Sequence, residues 1–150
     1  MYKCRHCGSV TLVPSAAPRD LQLQTASHTS LGISWKPVVP ERRHGHLAGY
    51  IVVFWPRDEV MAGLDLPMTL QSICSGETST ENAEKQGLHV RKVYADVLQM
   101  ELEELKVFTR YTATVTGFTS KGCGPWTDQV ESQTDQYGKL IPTPCCISVK

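Results

Sequence analysis

Apolar and polar residues alternate with a period of two along most of this chain. The alternation predicts seven strands, over residues 19–26, 30–36, 48–55, 88–95, 98–104, 110–119 and 126–134. The clearest run is Tyr111-Thr112-Ala113-Thr114-Val115-Thr116, entered from Leu105-Lys106-Val107-Phe108-Thr109-Arg110. A leucine six residues before a tyrosine at the mouth of a strand spells a tyrosine corner, with the ring in the core and the hydroxyl returned to upstream backbone. Ser30-Leu31-Gly32-Ile33-Ser34-Trp35 alternates in the same way and is stopped by Pro37 and Pro40, which cannot donate to a ladder. Gly122-Cys123-Gly124-Pro125 is expected to end the 110–119 strand and reverse the chain.

One segment breaks the rhythm. Residues 56–87 separate the third and fourth strands, where a hairpin loop takes about 2–5 residues. Its first half, residues 60–70, is apolar; a short helix fits residues 60–64, while Gly63 and Pro67 argue against a longer one. Its second half, Gly76-Glu77-Thr78-Ser79-Thr80-Glu81-Asn82, has the composition of a disordered loop. A segment this long is either functional or unstructured.

The strand motifs, in their order, resemble a fibronectin type III domain. Ala17-Pro18-Arg19-Asp20-Leu21 looks like the family's domain start, Trp35 like its buried tryptophan, Leu47-Ala48-Gly49-Tyr50-Ile51-Val52-Val53-Phe54 like its third strand, and Leu105 with Tyr111 like its tyrosine corner. One departure is Val107, where the family usually has proline. The resemblance implies an all-β, seven-stranded, immunoglobulin-like β-sandwich over residues 17–136 with a long insert at 56–87. It implies a structural core containing Trp35, Tyr50, Leu105 and Tyr111, flanked by tails at 1–16 and 137–150. Tyr2-Lys3-Cys4 resembles the end of an immunoglobulin domain, the alternative being a disordered extension.

Composition narrows the function classes. The chain has 150 residues, enough for one domain with tails and a sizeable core. Its formal net charge is zero, which argues against nucleic acid or an anionic membrane as the main partner. No apolar run reaches membrane-spanning length, so no membrane insertion by this segment is expected. The N-terminus does not read as a signal peptide, which suggests a piece of a larger product.

Candidate chemistry is sparse. Cys4-Arg5-His6-Cys7 has the spacing of half a zinc knuckle, but the other close pair, Cys145-Cys146, is adjacent and chelates poorly. His44 and His46 have no carboxylate or cysteine near them in sequence. No nucleophile elbow, phosphate-binding loop or His-Glu-x-x-His is present, so neither catalysis nor a cofactor is expected. Asn82, the only asparagine, starts no glycosylation sequon. The loop at Ser120-Lys121-Gly122-Cys123-Gly124 lacks the Arg-Gly-Asp through which some family members bind integrins. Strand counting places Arg42 and Arg43 at the same pole as Lys121, a basic pole that could attract a sulfated glycan or an acidic partner.

Two expectations concern the surface and the cysteines. With Tyr50, Val52 and Phe54 facing inward, Ile51, Val53 and Trp55 face outward, beside Thr112, Thr114, Thr116 and Phe118 of the neighbouring strand. An outward row of Ile51, Val53, Trp55 and Phe118 reads either as a protein-binding patch or as the seat of the folded-back insert. Strand counting also divides the six cysteines into Cys4, Cys7 and Cys123 at one pole and Cys74, Cys145 and Cys146 at the other. Any bridges are expected within these groups, and a Cys74–Cys123 link would contradict the strand order and with it the placement of the insert; the alternative is that all six are reduced.

The functional expectation is a non-catalytic module that binds protein and spaces its neighbours, in the extracellular portion of a multidomain adhesion or signalling receptor or a secreted protein. The alternatives are an intracellular scaffold domain of the same fold, or an accessory module of a larger enzyme.

Overall fold

A computed structural model describes residues 13–58 and 64–136. Strands β1 (Arg19–Thr25), β2 (Leu31–Lys36) and β5 (Gln99–Leu102) form one antiparallel sheet in the order β1-β2-β5. The second sheet runs β4 (His89–Tyr94), β3 (Gly49–Pro56), β6 (Arg110–Thr119), with β7 (Gly122–Trp126) and β8 (Val130–Gln133) both pairing with β6. The sheets face each other as a sandwich. Between them lie Leu31, Ile33 and Trp35 from β2, Tyr50, Val52 and Phe54 from β3, and Tyr111, Ala113 and Val115 from β6, all buried in one cluster with Leu102 and Leu105. Alternation along each strand puts these residues on one face, and their burial is what fixes the register. The Trp35 and Tyr50 rings meet edge to face with 5.5 Å between centroids.

Two tyrosine hydroxyls tie strands to backbone. The Lys106 N–H donates to the Tyr111 hydroxyl at 2.9 Å, closing the tyrosine corner, and the Leu105 N–H donates to the Thr29 carbonyl at 2.9 Å. Val107, standing where the family usually has proline, leaves this corner closed. A second tie crosses it from beyond β8: the Thr134 hydroxyl donates to the Lys106 carbonyl at 2.7 Å and accepts from the Thr109 N–H at 2.9 Å. The Tyr50 hydroxyl accepts from the Val38 N–H at 3.3 Å. Burial raises the Tyr50 hydroxyl above its ordinary pKa, with the Val38 bond and the Arg43 charge pulling the other way.

The end of the chain departs from expectation. Gly122-Cys123-Gly124-Pro125 does not terminate pairing; with Trp126 it forms β7. The reversal comes earlier, in a two-residue turn at Ser120 and Lys121, with Thr119 paired to Gly122. Gly122 has φ +146°, a conformation that L side chains rarely adopt. The single strand expected over residues 126–134 is thus two strands joined through Thr127, whose backbone N–H donates to the Val115 carbonyl at 2.9 Å and whose hydroxyl accepts from the Val115 N–H at 3.0 Å.

The insert also departs from expectation, and its polar half is ordered. The insert carries helix α1 (Leu66–Ser75) and helix α2 (Thr80–Lys85), while residues 60–63 of the short helix expected before them lie outside the described residues. The Asp65 carboxylate caps α1 by accepting from the Met68 N–H at 3.4 Å, and Gly76 ends it in the left-handed region at φ +84°. Pro67 sits in the first turn, where its missing N–H costs nothing, so it starts this helix instead of breaking one. Ser79 caps α2 by accepting from the Asn82 N–H at 3.2 Å.

Candidate interaction surface

The outward row of β3 is not a free surface. Ile51, Val53 and Trp55 retain 2%, 0% and 5% of their exposure. They form a second apolar cluster with Leu70 and Ile73 of α1, Ala83 of α2, and Leu88 and Val90 before and within β4; Phe118 is half-buried against it. Leu70 and Ile73 are three residues apart, so a single helical face delivers both onto the sheet. Of the two readings of this row, the folded-back insert is the one the structure contains. A partner therefore meets the insert and not Ile51, Val53 or Trp55.

The threonines of β6 are covered as well. Thr112, Thr114 and Thr116 are buried, and two of their hydroxyls reach the chain beside them. Thr114 donates to the Thr127 carbonyl at 2.8 Å, and Thr116 donates to the Gly124 carbonyl at 2.7 Å. These bonds satisfy the buried hydroxyls and hold β7 and the segment after it against β6.

A covalent bond locks the cover in place. Cys74, next to the last residue of α1, is joined to Cys123 of β7 by a disulfide with 5.7 Å between the Cα atoms. This pairing overturns the assignment of the two cysteines to opposite poles. Strand counting left the insert at the pole where β3 ends. Instead α1, about 15 Å long at 1.5 Å per residue, carries the chain back across the sheet toward the end where β3 begins. There Phe118 pairs with both Gly49 and Cys123. Cys4, Cys7, Cys145, Cys146 and the Tyr2-Lys3-Cys4 motif lie outside the described residues.

The basic residues at that end have separate duties. The Arg43 Nε donates to the Val38 carbonyl at 2.8 Å, while Arg42 and Lys121 are exposed in different loops. Residues 13–15 run between those loops: the Ser15 N–H donates to the Arg42 carbonyl at 2.7 Å, and Val13 lies beside Gly122.

At the opposite end a cleft of about 450 Å³ opens between β4 and the 103–106 corner. Phe54 and Tyr111 line it, with Glu84, His89, Arg91 and Glu103 around them. The His89 ring stacks on Phe54 at 5.1 Å between centroids, and the Arg91 guanidinium lies over the same ring at 5.4 Å. Burial holds the His89 imidazole below its ordinary pKa of 6.5; Glu84 opposes this, while Arg91 and Lys106 add to it. The lining contains no serine, threonine or cysteine. Among the described residues no group of three or more His, Cys, Asp or Glu side chains could hold a metal ion.

Comparison with known proteins agrees with this geometry. A sequence profile described as "Fibronectin type III domain" matches residues 16–133. Similar curated proteins include protein sidekick-1 of Mus musculus, 29% identical over 81% of this chain and 4% of its own length. Neural cell adhesion molecule L1.1 of Danio rerio is 30% identical over 77% of the chain and 8% of its own length. Receptor-type tyrosine-protein phosphatase F of Mus musculus is 27% identical over 75% and 5%. The chain thus spans less than a tenth of these relatives. Among solved structures, the third fibronectin III domain of a human protein superposes with a TM-score of 0.64 at 18% identity, covering 90% of this chain and 94% of that one. A fibronectin type III domain of human contactin 1 gives 0.60 at 20% identity, covering 90% of each. Both likenesses concern the fold.

Proposed function

The chain belongs to the fibronectin type III domain family, and on that premise we propose that it is a non-catalytic module of a multidomain adhesion or signalling receptor, binding protein and spacing its neighbours outside the cell. The carrying observation is where the chain enters and leaves the sandwich. Pro14 packs against Gly124, and Ser15 is bonded to Arg42 at one end. At the other, the Asp135 N–H donates to the Ser27 carbonyl at 3.0 Å and its carbonyl accepts from the Phe108 N–H at 3.1 Å. The two ends stand apart by the length of β6, roughly 30 Å for ten residues. That arrangement suits domains strung in line, with residues 17–136 as the module and 1–16 and 137–150 as connecting segments. The disulfide favours an oxidising compartment. Two measurements test the reading. A multivalent soluble form of the chain should bind intact cells through a trypsin-sensitive surface protein. Peptide mapping of the native protein without reduction should recover Cys74 joined to Cys123. Free thiols at both positions would transfer the protein to the intracellular scaffold reading.

A further inference from the structure

The disulfide that fastens the insert borders an open cleft. The cleft, about 240 Å³, is lined by both cysteines together with Ile51, Phe118, Lys92 and Lys121. Among the described residues neither lysine forms an ion pair. Both cysteines are only half-buried, so a small thiolate can approach. Ammonium groups beside a disulfide attract the attacking thiolate and stabilise the one that leaves, and a better-stabilised leaving thiolate departs faster. We propose that Cys74–Cys123 is a thiol–disulfide exchange site, opened by a reducing dithiol to release α1 from the sheet.

The step balances without another reactant. One thiolate of the dithiol attacks a sulfur of the pair, the Cys74–Cys123 bond breaks, a mixed disulfide forms and the other cysteine leaves as thiolate. The second thiol of the reagent displaces the remaining cysteine. The dithiol ends as a cyclic disulfide, two electrons have passed to the protein, and the two cysteines carry the two protons the dithiol gave up.

Release follows from how little else holds α1. A ten-residue helix is marginal in water on its own. Within it only Leu70 and Ile73 are buried, Leu66 packs part-buried against the same cluster, and the one covalent tie to the sheet is the disulfide. The strands beneath keep their ladders in either redox state, because the opened bond lies in none of them. Opening is therefore local, and it uncovers Ile51, Val53 and Trp55.

The test is a dithiothreitol titration of the full chain in native buffer, with each sample mapped for free thiols and followed by amide hydrogen exchange. Expected is loss of the Cys74–Cys123 bond with at least about a tenfold gain in exchange over residues 66–75, while β3 and β6 stay protected. With glutathione, Lys92→Gln/Lys121→Gln should open about three- to tenfold more slowly than the parent. The Cys74→Ser/Cys123→Ser variant should show the fast exchange over 66–75 without any reductant. Three results would overturn the proposal: opening only when β3 and β6 also lose protection, a reduced protein whose residues 66–75 stay protected, or no effect of the lysines on rate.

Discussion

The molecule has two apolar cores on opposite sides of one strand. Tyr50, Val52 and Phe54 of β3 point into the sandwich, while Ile51, Val53 and Trp55 point beneath the insert. Burial of β3 is nearly complete on both faces, yet the two sides are held differently. The sandwich side is walled by strands laddered to one another and pinned by hydroxyl bonds from Tyr50, Tyr111 and Thr134. The insert side is roofed by two short helices whose backbone bonds are internal, so only side-chain packing and one disulfide attach them. A sheet face can thus be closed by an element that is not part of its hydrogen-bond network, provided a crosslink replaces that network.

Substitutions on either side of β3 test the contrast. The largest loss is expected on the sandwich side: Trp35→Ala should cost about 3–5 kcal/mol in urea unfolding, since its buried volume is walled by strands that cannot collapse into it. Next comes the crosslink. Cys74→Ser/Cys123→Ser removes closure of a 49-residue loop, for which chain entropy allows about 4 kcal/mol; the loss in the global transition should be smaller, with the remainder showing as local exchange in α1. Val53→Ser is expected to lose about 2–3 kcal/mol by the same urea measurement, as a hydroxyl would replace one methyl and the other would be lost at a site with no exposure. A bare outer face would have tolerated it within about 0.5 kcal/mol. The smallest effect is that of His89. Burial favours its neutral form in the fold, so the unfolded chain takes up the proton first as pH falls. Its stabilisation is complete above the ordinary pKa of 6.5 and is lost as pH drops through the lower folded value. Urea midpoints of the parent should fall toward acid more than those of His89→Gln between pH 8 and 5.

The sandwich was legible because its signals are local. Leu105 and Tyr111 spell the corner, and alternation marks the inward side chains of β2, β3 and β6. The helix in the insert was legible in principle. Asp65 just before Leu66 and Pro67, with Gly76 ten residues beyond, is a start and a stop around a ten-residue segment. Pro67 taken alone is a breaker; taken with the Asp65 cap it is a first-turn residue. The disulfide was not legible. Whether Cys74 reaches Cys123 depends on the direction in which α1 leaves the sheet edge, a tertiary property set by Leu70 and Ile73 settling on Val53 and its neighbours. The extra strand break at Thr127 was hidden for a similar reason, since it rests on hydroxyl bonds between residues 12 or 13 positions apart.

If the chain works as a link between neighbours, tension arrives at Pro14 and departs at Gln136. The crosslink lies between those points, and residues 74 to 123 cannot be drawn out while it is closed. A fully pulled chain gains at most about 3.6 Å per residue, so the bond withholds roughly 170 Å of slack from the unravelled domain. Closed, the module under load is a short tether with a hard stop; open, it becomes a longer one. The pair of cysteines therefore sets how far two neighbours can be separated once the strands have given way.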